Sequence, residues 1–358
     1  MATRVMDLTG ATPRVSVTIE ASLPIEFMLS MMKFEMTSSQ ETFEDGDTWF
    51  DEVRTKASSE LRQALEGFTR KRGAWIAPGL ALQVPQHRTV PDFIDHIEQL
   101  PARNLWLALA GYHLRPLRDD VGSEAFLQAA AGDPEARRSV MRAARKYEDD
   151  IDEPPLLTMT PKEAKARALH VMRLWNEEVF ADHAKGTAKI LERDAAAKRA
   201  LAATTTPEKL IEIATNGIEF KGERWVRRVV LVPHVVMRPW NVSSAWEDTS
   251  IMCYPVADES LGTDRAAPPA RMLRLYKALG DEKRLRILKR LTKGTASLQE
   301  LADTVGLAKS SAHHHMVILR SAGLVKVTDD ALRLYTLRTD TIPEASGLLE
   351  SFLKGASS

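Results

Sequence analysis

The spacing of apolar residues along the chain changes several times, and each change marks an element. Across residues 13–21, Val15, Val17, Ile19 and Ala21 alternate with Ser16, Thr18 and Glu20, the two-residue period of a half-buried strand. After Leu23-Pro24 the period lengthens. Phe27, Met31 and Phe34 share a helical face through Met36, and a methionine-rich stripe of this kind fills a core. Residues 48–70 predict one helix with Thr48 as its N-cap and Asp51 at its third position. Shorter helices are predicted at 91–100, 102–112, 123–131 and 134–147, then an acidic, proline-containing loop at 149–155. Thr160-Pro161, an N-cap followed by proline at the first helical position, opens a long helical stretch toward Ala203. Thr206-Pro207 opens another that ends at Asn216-Gly217.

The texture then turns to valine. Val226, Val229, Val230, Val232, Val235 and Val236 fall within residues 225–237, and a second apolar run occupies 250–256; both predict strands. Residues 258–269, with Gly, Asp, Ala and the pair Pro268-Pro269, predict a linker. The chain shows no internal repeat. The expected architecture is mainly α with small β-sheets (α+β): a mostly helical N-terminal domain over 1–257, the linker over 258–269, and a C-terminal domain over 270–358.

The C-terminal pattern is dense with signals. Gly280 breaks a helix at 271–279, and Asp281 caps the next, which is expected to bury Leu285, Ile287, Leu288 and Leu291. Ser297 and Glu300 form a capping box ahead of Leu298, Leu301, Ala302 and Val305. Gly306 supplies the sharp turn of a helix-turn-helix, and a second helix runs from Lys309 to about Ala322 before Gly323. Residues 324–327 and 332–337 alternate around Asp329-Asp330, a hairpin that makes the unit a winged helix.

The segments Leu275-Tyr276-Lys277-Ala278-Leu279-Gly280-Asp281, Arg284-Leu285-Arg286-Ile287-Leu288, Ser310-Ser311 with His314-His315, and Leu319-Arg320-Ser321-Ala322-Gly323-Leu324-Val325 resemble the ArsR family of bacterial repressors. The resemblance implies a homodimer on a roughly palindromic double-stranded DNA operator, released when an effector binds. It also implies that the helices at 271–279 and 344–354 build the dimer. The N-terminal part resembles, more weakly, an uncharacterised domain found in long regulators of this kind. Helical geometry places Ala312, Met316 and Leu319 on the packed face of the second helix, with Ser310, His313 and Val317 roughly opposite. The candidate DNA contacts are therefore Lys309, Ser310, Ser311, His313, His314 and Arg320 on the helix, with Lys326 and Arg333 on the wing.

Two departures from the family pattern matter. The acidic wing tip leaves only Lys326 and Arg333 for phosphates. The segment Ser297-Leu298-Gln299-Glu300-Leu301 lacks the cysteine pair of metal-sensing members, and residues 344–354 lack histidine, so no metal site is expected. His313, His314 and His315 are neighbours pointing about 100° apart on a helix and do not chelate one ion. Asp92 and His96, four residues apart, read as an isolated surface pair.

Net charge sharpens this picture. The chain is neutral, yet residues 269–340 carry 14 Lys and Arg against 7 Asp and Glu, a net +7, so the remainder carries −7. A basic module on an acidic body is the footprint of phosphate binding. Cys253 is the only cysteine, which rules out an intramolecular disulfide and reads as a buried structural residue. No signal peptide or apolar run of membrane-spanning length is read, so a cytoplasmic location without membrane contact is expected. No Gly-rich phosphate loop, HExxH or GxSxG appears, and neither catalytic residues nor a cofactor are expected. All seven tryptophans lie in the N-terminal part; Trp225, Trp240 and Trp246 are the candidates for an apolar or aromatic small-molecule effector site. The leading expectation is a dimeric, non-metal DNA-binding repressor. The alternatives are an enzyme domain fused to a DNA-binding tail, or a DNA-binding protein with no effector.

Overall fold

The computed structural model describes residues 15–36, 40, 42–66, 78–84, 89–144, 158–262, 268–328, 333–339 and 341–354. The valine-rich run owes its composition to a sheet buried on both faces. Strands β1 (Ser16–Ile19), β3 (Arg228–His234), β4 (Val242–Trp246) and β5 (Thr249–Pro255) form one sheet in the order β1-β3-β5-β4, while β2 (Ile218–Glu219) belongs elsewhere. Strand β3 pairs in parallel with both β1 and β5, and β4 runs antiparallel along β5 with Val242 opposite Cys253. Val230 and Val232 point into one core with Ile251 and Cys253, whereas Val229 and Leu231 point into another with Met252 and Tyr254. All eight are buried, so each strand reads as an unbroken apolar run.

The first core fills the space between this sheet and the helices Leu23–Glu35, Val90–Gln99, Ala102–Leu109 and Pro161–Trp175. The second lies under the helical segment Ala181–Ala202, which is broken by non-helical backbone at Lys185 and Gly186, and the helix Pro207–Ala214. Thr160 caps Pro161–Trp175, as its sequence predicts, and Glu163 completes a capping box with it. The stretch expected to be one helix at 48–70 is two, Gly46–Lys56 and Ser59–Glu66. Thr48 does not cap it, because Asp45 occupies the N-cap position. Ser58 caps the second helix, its hydroxyl accepting from Leu61 N–H, and Glu178 holds Ser58 there by accepting hydrogen bonds from its backbone N–H and hydroxyl. The expected loop at 149–155 lies outside the described residues.

Within the expected linker, Asp258–Leu261 is a helical turn. A third, separate core belongs to the C-terminal unit and unites Leu275, Ile287, Leu291, Leu301, Met316 and Leu319. Its helices are Ala270–Leu279, Glu282–Leu291, Leu298–Val305, Lys309–Ser321 and Thr341–Lys354, with the hairpin β6 (Val325–Thr328) and β7 (Tyr335–Leu337). Leu285 departs from expectation: it is 48% exposed, because two residues of helix separate it by about 200° from Ile287. The hairpin gains a third strand from the N-terminal body, for β2 pairs in parallel with β6, Ile218 opposite Val327 and Glu219 opposite Thr328. Among the described residues no helix is long and apolar enough to cross a membrane.

Candidate nucleic-acid interface

The C-terminal unit is assembled by local signals. Asp281 accepts the Arg284 N–H at 2.9 Å, and the Arg284 guanidinium donates to the carbonyls of Ala278 and Lys277, fastening consecutive helices end to end. These donors hold the Asp281 carboxyl below the usual range, the Arg284 backbone N–H first among them. Ser297 and Glu300 complete the predicted capping box. Gly306 takes the left-handed conformation, φ 64°, that turns the chain into Lys309–Ser321. Ala312, Met316 and Leu319 of that helix are buried, as expected.

The opposite face holds the predicted contacts in a row. Lys309, Ser310, Ser311 and His313 are exposed and His314 is half-buried, all within the first turns of the helix. His315 lies at the edge of the packed face, its Nδ1 3.8 Å from an Asp281 oxygen, and burial lowers its pKa. Val317 was expected to face outward with Ser310 and His313. It is instead 5% exposed although it is not among the residues of the C-terminal core, and it lies on the helix between His313, which faces Trp240, and Arg320 and Ser321, whose carbonyls accept from Asn216. The Trp240 ring lies 6.3 Å from that of His313.

The wing candidates are also engaged. Lys326 forms an ion pair with Glu212 of the body at 2.5 Å. Burial works to raise the Glu212 carboxyl, but Lys326 and Lys209 outweigh it and hold it below the usual range. Desolvation lowers the Arg320 guanidinium, which senses Tyr335 and Arg333. Arg333 enters β7 with a positive φ of 43°, and the wing tip, Asp329-Asp330, lies outside the described residues.

A family model described as a helix-turn-helix domain matches residues 279–328, the span that holds the capped helices, the Gly306 turn and the exposed row. The unit is a helix-turn-helix domain. The crystal structure of NolR from Sinorhizobium fredii is similar to 24% of this chain and 87% of that chain, at 32% identity with a TM-score of 0.20. No curated protein matches the chain. A helix-turn-helix domain of this form is a DNA-binding unit whose second helix enters the major groove, N-terminal residues foremost.

The other candidates are dispersed. Trp225 borders the second core and its Nε1 donates to Glu223. Trp240 donates from Nε1 to the Thr42 hydroxyl at 2.9 Å. Trp246 stacks on His113 with ring centroids 3.8 Å apart. Each of the three tryptophans thus has its own separate partner among the described residues. Asp92 is used in the Thr89 capping box and His96 faces Gln83 at 3.4 Å, so the two do not form a pair. Cys253 has no exposed surface, and burial pushes its thiol up to about 12. Sequence reading missed the contacts of Asn216, whose side-chain amide donates to the carbonyls of Arg320 at 3.3 Å and Ser321 at 3.1 Å, the C-terminal end of the recognition helix. It read Asn216-Gly217 only as a helix stop. Among the described residues no group of three or more His, Cys, Asp or Glu is placed to hold a metal ion.

Proposed function

We propose that the chain is a homodimeric transcription repressor that reads a two-fold symmetric operator with helix Lys309–Ser321 and responds to a non-metal small molecule. The observation that carries this reading is the exposed row Lys309, Ser310, Ser311 and His313 on the leading turns of a helix whose other face is buried in the domain core. Donors and acceptors so placed meet base edges and the adjoining phosphates.

One such helix reads only a few base pairs, and a dimer sets two of them about 34–36 Å apart. Exposed apolar side chains on the flanking helices favour that assembly. Leu273, Tyr276, Leu285, Ile342 and Leu353 are all more than one-third exposed, on helices Ala270–Leu279, Glu282–Leu291 and Thr341–Lys354. Burying them against a second copy removes this apolar surface from water. Repression rather than activation follows from the resemblance to the ArsR family.

The effector reading draws support from a cavity of about 150 Å³ between the N-terminal body and the helix-turn-helix domain, lined by Asn241 and Arg238 on one side and by Arg274 and Ala322 on the other. A ligand there touches both units, so any preference for one spacing of them becomes a change in DNA affinity. The test is to incubate the full chain with fragmented genomic DNA of its source and sequence what is retained. An inverted repeat with half-sites one helical turn apart is expected, and its enrichment should vanish in the variant Ser310→Ala/His313→Ala. Retention without any preferred sequence would overturn the reading.

A further inference from the structure

The surface that the N-terminal body turns toward the helix-turn-helix domain is built to hold that domain. Asn216, in the left-handed conformation at φ 53°, caps the last carbonyls of the recognition helix. The Gly217 carbonyl accepts the Val327 N–H at 3.1 Å, which seats β2 on the edge of β6. Ile218 enters the core of the C-terminal domain. Glu212 neutralises Lys326, and Arg274 reaches across to Glu44 at 2.6 Å and Asp258 at 3.0 Å. Burial alone would raise the Asp258 carboxyl, yet Arg274 and Arg238 hold it below the usual range.

These contacts fall on the face that has to meet DNA. A helix with its side chains is about 10–12 Å across, and the major groove is about 12 Å wide. The groove therefore takes the helix but not a second layer beside it. Trp240 is that second layer, set against His313, with Val317 buried one turn further on and Asn216 on the last carbonyls. The joint is also separable. It is mostly polar, it contains the cavity, and among the described residues only Ile218 crosses between the hydrophobic cores.

We infer that this surface of the N-terminal body is a binding site for the chain's own recognition helix and wing, and that it competes with DNA for them. The inference rests on the reading of Lys309–Ser321 as the DNA-contacting helix. DNA selects the separated arrangement, and its apparent affinity is reduced by the fraction of molecules that are closed. An opened molecule frees Lys326 for phosphate as well as exposing the outer face of the helix.

The joint can be locked with a disulfide. Glu219 and Thr328 are direct partners across the β2–β6 pair, and Cys253 has no exposed surface to interfere. In the full-length variant Glu219→Cys/Thr328→Cys, binding to genomic DNA fragments would be followed by fluorescence anisotropy in the oxidised and the reduced state. Oxidation should weaken binding by about tenfold or more, and reduction should restore it. Equal affinity in the two states overturns the inference. Binding in neither state, nor in the unmodified chain at low salt, fails the DNA reading and the inference with it. Should the cysteine pair impair folding, Asn216→Ala/Trp240→Leu supplies the converse test. Tighter binding than in the unmodified chain supports the competition, and unchanged binding overturns it.

Discussion

His234 ends β3 with no exposed surface, its Nε2 donating to the Trp240 carbonyl at 3.0 Å and its Nδ1 without a partner. Burial is the leading cause that lowers its pKa from 6.5 to about 4. The unfolded chain accepts a proton near 6.5 and the native one only near 4, so stability is complete above that window and falls as pH drops through it. The loss amounts to roughly 3 kcal/mol once both limits are passed. The urea midpoint should therefore decline between pH 7 and pH 4.5 less steeply in His234→Gln than in the unmodified chain; parallel declines would exclude this histidine as the cause. A different residue-scale expectation concerns DNA. Replacing Ser310 and His313 with alanine should cost about 1–3 kcal/mol for each base-edge interaction removed, on the preferred sequence only. Lys309→Ala should weaken all sequences alike and reduce the salt slope by about 0.9. Anisotropy titrations on specific and scrambled duplexes over a range of salt separate the two behaviours.

Among the elements, the short helix Gly79–Leu82 shows how tightly the body is assembled. A Cβ on Gly79 would lie 2.1 Å from the Trp246 ring, which is itself held between this helix and His113. Gly79→Ala should destabilise the body by about 1–3 kcal/mol, the range for overpacking, and the denaturant midpoint would register it. An unshifted midpoint would mean that Trp246 moves aside freely. Elements whose causes are local were legible in the sequence: the N-cap at Thr160, the capping box at Ser297, the Gly306 turn, and the strand in the Val229–Val232 run. Elements fixed from afar were not. Ser58 is a local cap, but nothing near it announces the Glu178 that holds it, and two helices read as one. Two residues, Ile218 and Glu219, are too few for a period, and their partner strand comes only after the entire recognition helix. Periodicity placed Val317 with Ser310 and His313 but does not foretell its burial outside the C-terminal core. The exposed row at Lys309, Ser310, Ser311 and His313 was legible because helix geometry alone sets it.

At the scale of the molecule, the exposed apolar side chains on the flanking helices set an expectation for assembly. Leu273→Glu/Leu353→Glu alters two side chains that are 44% and 72% exposed, so each chain should fold normally. If these helices form the dimer, sedimentation should find that variant as a monomer with weakened binding to a two-half-site duplex. A persistent dimer would move the interface to the N-terminal body. The borrowed strand β2 has a bearing of another kind. A molecule that lets go of it bares the edge of β6 and leaves the place of Ile218 in the C-terminal core vacant. A neighbouring copy carries the same two residues and fills that place equally well, so strand exchange between chains needs no interaction that the single chain lacks. Reciprocal exchange closes into a pair, whereas exchange passed from chain to chain does not close and grows with concentration.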